Sequence, residues 1–430
     1  MVEIFPIRGW HPNVTSFDAD SLVCPVYDTL SPSEQSRFAH RKFNAAGFVP
    51  RPQSVELEQF LLSAVGHLGE AIRAGAYVQD VDPAFYVYGI RYRPPADIAE
   101  ALEPSHRRAE YLLLGLVGAL DLDRVAHGTV ALHERTFPDR VDERVGLSDA
   151  TGMNFAPIMA GYNLPDHRLN DRLEGLLGLD RRLLAFDSTV PPIVAARMDG
   201  TSHLLWRITD PGALRAIQEE LRDTRLLILD GHHRFTAAAK RHHEGQRTMP
   251  LVMLVEGRDR ALQLLPWQRV LPSDVVAPPG VVEAVRNAFP ETRPLGSVPS
   301  LERLQEHLHE MTRHHRRGFV VAAPGTSFEV PGPAETDAGA DFDTLHRFLE
   351  EHLHLDPHDL EYVRSPRVAL ERAGTSPSSG GGTAFLLPGL TEEGVEERAF
   401  EKGQLMAHKS TMFLPKVAEG VIFAPVDGIG

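Results

Sequence analysis

One short passage constrains this chain more than any other. Leu226-Leu227-Ile228-Leu229 is an apolar run of the kind that makes a buried strand. Asp230-Gly231-His232-His233-Arg234 follows it, and Phe235-Thr236-Ala237-Ala238-Ala239-Lys240-Arg241 then opens a helix. A strand, a glycine turn and a helix start make an anion site, because the first backbone N–H groups of a helix are unpaired and its dipole favours negative charge. Gly231 permits the sharp turn, and Arg234 has the fork geometry for a phosphate. His232 and His233 add donors. Asp230 is a candidate to hold a divalent cation or accept a proton. The plainer alternative is an Asp-Gly turn with surface histidines. All five residues together, between a strand and a helix, favour a nucleotide or phosphate site.

The bulk composition sets bounds on the rest. At 430 residues there is room for two or three domains with their own cores. Hydrophobic content of 42% and charged content of 24% predict a soluble globular protein. No apolar run approaches the roughly 20 residues of a membrane span. The segment Met1 to Arg8 lacks the basic and apolar regions of a secretory signal. Cys24 is the sole cysteine, which excludes an internal disulfide framework and a cysteine-built zinc site. These features predict a cytoplasmic protein with no membrane partner. The net charge of −15, from 44 basic and 59 acidic residues, argues against a nucleic-acid partner.

The periodicity predicts a mixed α/β (α+β) chain without repeats. A capping box, Ser31-Pro32-Ser33-Glu34, predicts a helix start. Apolar spacing predicts helices over 54–75, 169–185, 211–221 and 342–352. Strands are expected at Phe85–Ile90, Tyr111–Leu120, Leu226–Leu229, Met249–Glu256, Phe319–Ala322 and Ala384–Leu387. Residues 93–106 read as a loop, and Ser376–Thr383 as a Ser/Gly tract. The expected domains are 1–271, a linker over 272–279, and a C-terminal α/β domain over 280–430. The His-rich stretches Leu308–Arg317 and His346–His358 read as solvated helix faces.

Two further constellations carry chemistry. His133-Glu134-Arg135-Thr136 follows an apolar run; Glu134 could take a proton from a substrate hydroxyl, and Arg135 could contact phosphate. An exposed charged loop explains the same spacing as well. Met406-Ala407-His408-Lys409-Ser410-Thr411 places an amine beside two hydroxyls, as phosphate loops do, without the glycines of a Walker motif. Cys24 has no evident His-Asn set, and no nucleophile elbow or dinucleotide fingerprint is present.

Arg8-Gly9, Pro25-Val26-Tyr27-Asp28, Leu132-His133-Glu134-Arg135-Thr136, Asp230 to Arg234, and Met406 to Lys416 stand in the order seen in the DUF1015 family, and the chain closely resembles it along nearly its whole length. The family name states no activity. The chain also resembles, more distantly, the archaeal free-serine kinases, which are built on a ParB/sulfiredoxin-like domain. Those kinases carry Pro-His-Glu, Asp-Gly-His-His-Arg and Pro-Lys-Thr-Thr segments in the same order. Leu132 and His408 stand where the kinases have proline, Val26 and Thr29 differ from the usual Pro-Tyr-Asp-Val of DUF1015, and the insert before Asp230 is longer.

This resemblance implies a ParB-like nucleotide-binding core closed by the second domain. It implies ATP or ADP as phosphoryl donor, Mg²⁺, and a free serine or serine-like acceptor. Glu134 would be the base, with Asp230 in catalysis or metal binding. Gly231, His232, His233, Arg234, Lys409, Ser410 and Thr411 would bind the nucleotide. His133, Arg135 and Thr136 would line the acceptor side. A nucleotide-binding regulator without turnover and a phosphohydrolase stay open beside the kinase.

Overall fold

The computed structural model describes residues 2–26, 32–49, 55–102, 110–164, 167–181, 186–297, 300–332, 338–374 and 381–428. The expected cap at Ser31 and the Tyr27-Asp28 turn lie outside these, although the helix Pro32–Ala39 itself forms. Most of the Ser/Gly tract lies outside as well.

A nine-stranded sheet forms the first layer system. Its path runs Val130–Ala131, Leu226–Asp230, Ile158–Tyr162, Leu251–Glu256, Tyr111–Leu120, Phe85–Tyr92, Thr201–Ile208 and Val194–Met198, with Ile4–Phe5 added on Tyr111–Leu120. The continuous apolar run of Tyr111–Leu120 is explained by burial on both faces. Leu113 and Val117 join one core cluster, while Leu112, Leu114 and Leu116 join the other. Gly115 has to be small, since a Cβ there would meet Met253 at 2.5 Å. The pairing mixes parallel and antiparallel strands, so the mixed α/β class holds. No helix among the described residues is long and apolar enough to cross a membrane.

A second, six-stranded sheet runs Arg293–Gly296, Thr326–Pro331, Gly318–Ala323, Thr383–Leu386, Gln268–Leu271 and Glu361–Val363. Gln268–Leu271 therefore enters the second sheet ahead of residue 272, and a helix, Pro278–Ala288, begins inside the expected linker. The chain then returns to the first layer. Thr411–Leu414 pairs with Gln263–Pro266, and Ala424–Pro425 pairs with Met153–Asn154.

Three local expectations are corrected. Residues 96–101 are a helix, not loop; Asp97 and Glu100 on it each meet an arginine of the second lobe, Arg364 and Arg367, at 2.7 Å. The helix expected to reach Ala185 stops at Leu177, because Gly178 adopts a left-handed φ of 61° as its cap. His346 is not on a solvated face: it is largely buried against the Arg269 guanidinium, and burial holds its pKa down to about 3.

Asp341, in the first turn of the helix Ala340–Leu353, accepts the Gly318 N–H at 2.6 Å and is 1% exposed. Burial raises its pKa to about 7. The folded protein therefore favours the neutral acid. That contribution is complete below the unfolded value near 3.9 and disappears as pH rises through about 7. Asp341→Asn should remove this dependence. Denaturant melts at pH 5 and pH 8 should show the wild type losing a few kcal/mol more than the variant between them.

Candidate active site

The Asp230 to Arg234 turn is built as the apolar run requires. Leu226–Asp230 is a strand, Gly231 takes a φ of 88°, and the helix His232–His243 starts with no side-chain cap. Across from it, the 133–135 backbone docks on the C-terminal segment. Met406 N donates to His133 O at 2.8 Å, and Arg135 N to Met406 O at 3.1 Å. Three segments distant in sequence thereby share one place.

Glu134 is 7% exposed, and one of its oxygens is clamped. Thr411 N donates to Oε1 at 2.5 Å, and the Thr411 hydroxyl donates to the same oxygen. Among the described residues no hydrogen bond reaches Oε2. Burial raises the pKa of Glu134, and the Thr411 bonds and the Lys409 and Lys416 charges offset only part of the rise. A carboxyl tuned upward in this way suits a base.

Behind it runs a buried hydrogen-bond chain. The Thr411 hydroxyl proton goes to Glu134, so its oxygen accepts from His133 Nε2 at 2.7 Å. His133 Nδ1 then accepts from His232 Nε2 at 3.3 Å. Burial holds His133 at about 3, outweighing the Ile228 carbonyl beside it, and pushes His232 well below its ordinary value. Both rings are neutral supports. His133 has no exposed surface, so its expected contact with substrate is corrected to support of Thr411 and Glu134. Histidine proton NMR should show His133, His203 and His232 still neutral at pH 5, since burial also lowers His203 to about 4. Charging of these three rings between pH 6 and 7 would contradict that.

The remaining residues divide. Arg234 folds over Gly231 and donates from Nη1 to Ala156 O at 2.9 Å and Pro157 O at 3.0 Å. Its Nη2 reaches Asp230 Oδ2 at 3.3 Å. The expected fork onto phosphate is thus spent on carbonyls that need a donor. Asp230 Oδ1 is held by Lys416 Nζ. With a cation on each oxygen, Asp230 does not fit a Mg²⁺ position, and no three His, Cys, Asp or Glu side chains converge on a metal site among the described residues. In this structure it anchors Lys416. Ser410 is fully buried and donates to Ala407 O, so it shapes the loop rather than meeting nucleotide. Lys409 takes a left-handed φ of 53° and sets its amine 5.2 Å over the Trp267 ring. Arg135 is exposed and Thr136 half-buried.

Spacing alone missed three residues. Lys416 stands in the Met406 to Lys416 segment but has no hydroxyl neighbours like those of Lys409 to mark it. Phe137 donates its N–H to His233 Nε2 at 3.0 Å and stacks on His408 at 4.2 Å. Arg269 is wholly buried between Phe342 and Tyr362, donating to the carbonyls of Trp267 and His408. It fastens the loop that carries Thr411, and no sequence pattern marks such a role.

Fold and site together define a mixed α/β protein with one buried carboxylate among lysines where three segments meet. The chain belongs to DUF1015, described as a protein of unknown function, whose family model matches residues 4–331. No curated protein matches it. Among solved structures, a free serine kinase variant in complex with ADP is similar at 13% identity and a TM-score of 0.39, covering 71% of this chain and 92% of that one. A free serine kinase in complex with AMP is similar at 14% identity and 0.38, covering 71% and 91%. SbnI with C-terminal truncation from Staphylococcus aureus is similar at 12% identity and 0.37, covering 69% and 82%. Likenesses at these TM-scores decide nothing about this chain's chemistry.

Proposed function

We propose that this chain is a small-molecule kinase on a ParB/sulfiredoxin-like core. It moves a phosphoryl group from ATP or ADP to the hydroxyl of free serine or a serine-like amino acid. The observation that carries this reading is Glu134: a buried carboxylate with a raised pKa, one oxygen clamped by Thr411, and lysines close enough to perturb it. The order of the motifs supports the same reading.

In the reaction, Glu134 Oε2 takes the proton of the acceptor hydroxyl. The acceptor oxygen bonds to phosphorus as the bond to the leaving nucleotide oxygen breaks. Lys409 and Lys416 offset the charge on the transferring group, the main demand of phosphoryl transfer. The helix start at His232 offers its uncapped N–H groups to a phosphate. Thr411, His133 and His232 hold the base in place.

The test is incubation with ATP or ADP, with and without Mg²⁺, across a panel of hydroxy amino acids, reading new phosphomonoesters by mass. A phosphorylated amino acid is the expected product. Nucleotide binding without any product would support the regulator, and phosphate release without an acceptor the phosphohydrolase.

A further inference from the structure

A cavity of about 190 Å³ against the Gln263–Pro266 ribbon has neither Glu134 nor Thr411 on its lining. It lies between that ribbon, the helices Ala96–Ala101 and Leu301–Arg313, and the second sheet, and is open to solvent on one side. Most of its wall is apolar, including Leu264, Leu308, Leu387 and Leu390. Six polar side chains break that wall: Gln263, Gln268, His309 and Thr312 donate to backbone carbonyls, and Gln305 and Arg364 are the other two. Gln305 is 8% exposed, yet its Nε2 has no hydrogen-bond partner. Arg364 stands half-exposed on the lining, with its Nε on Asp97 Oδ2 at 2.7 Å. Among the described residues the Nη groups of Arg364 donate no hydrogen bond, while the guanidinium is ion-paired with Asp97 through Nε.

A buried amide left unpaired costs about 1–3 kcal/mol, so the site calls for an acceptor. One water would leave most of the space empty, since a water occupies roughly 30 Å³ and a 150 Å³ apolar cavity already takes up benzene. The other two amides on the lining already have partners: Gln268 bonds the Leu387 backbone, and Gln263 Nε2 donates to Arg260 O at 2.7 Å. The demand is therefore for an anion or carbonyl oxygen near Gln305 and Arg364, attached to an apolar body.

We propose that this cavity binds a small monocarboxylate with a branched or aromatic body of roughly six to ten non-hydrogen atoms. The carboxylate accepts from Gln305 Nε2 and pairs with Arg364, and the leucines flank the body. Ser365 shares Asp97 with Arg364, so the cation is held in place without being buried.

Calorimetry on the full chain without nucleotide tests this, using isocaproate, its primary amide and isohexanol. Isocaproate should bind and raise the melting temperature, with the amide and alcohol about tenfold weaker, the size of a lost charge-assisted bond. Gln305→Leu and Arg364→Gln should each weaken isocaproate about five- to tenfold. If Gln305→Leu does not fold, Arg364→Gln at the half-exposed rim carries the comparison. Equal binding of acid and amide, or binding of none of the three, overturns the proposal. No readout here uses phosphoryl transfer, so this site and the kinase reading stand or fall separately.

Discussion

Glu134→Gln should lower turnover roughly 100- to 10,000-fold while leaving nucleotide affinity within about twofold, the signature of a lost general base. Glutamine keeps the size of the side chain and one oxygen to accept the Thr411 N–H. What it lacks is the oxygen that takes the proton. Single-turnover phosphorylation of the acceptor measures the first quantity, and nucleotide calorimetry the second. A variant that turns over within tenfold of the wild type would remove Glu134 as the base. The pH profile adds a second check. The base must be ionised, and burial raises its pKa, so the acid limb of activity should lie above the range near 4.3 of an ordinary glutamate.

Lys416→Met is the second large expected effect. The amine is paired with Asp230 and its charge lowers the pKa of Glu134. Removing it takes a cation from the transferring phosphoryl group, a loss of roughly 100- to 1,000-fold in turnover by analogy with a single deleted oxyanion donor. It should also shift the acid limb to higher pH, because less positive charge then opposes the effect of burial. A purely structural lysine would lower the melting temperature without moving that limb, so the profile of kcat against pH separates the two roles. Lys416→Arg should restore part of the limb position and less of the rate, since the guanidinium does not reproduce a compact point charge.

Much of the site was legible because its parts are local. A strand that runs into Asp-Gly and then a helix is specified by apolar run, glycine turn and helix propensity over a dozen residues. The structure follows that plan at Leu226–Asp230, Gly231 and His232–His243. The helix Pro211–Leu221 was legible for the same reason: Asp210 caps it by accepting from Ala213 N at 2.8 Å. The helix Ala96–Ala101 was not, because its partners are distant in sequence: Ile98 packs with Leu265 and Met412, and Asp97 and Glu100 pair with Arg364 and Arg367, more than 260 residues away.

The amino-acid sequence by itself determined which residues arrive at the site: Glu134 on one segment, Asp230 to Arg234 on a second, and Lys409 to Lys416 on a third. Only the tertiary structure decided their partners. Thr411 clamps a glutamate 277 residues away, Asp230 pairs with Lys416, and Arg234 turns onto the carbonyls of Ala156 and Pro157. The physical reason is that local propensity fixes turns and helix starts, whereas a buried charge takes the nearest complementary group that sheet pairing delivers. Here that pairing is the return of Thr411–Leu414 onto Gln263–Pro266 and of Met406 onto His133 and Arg135.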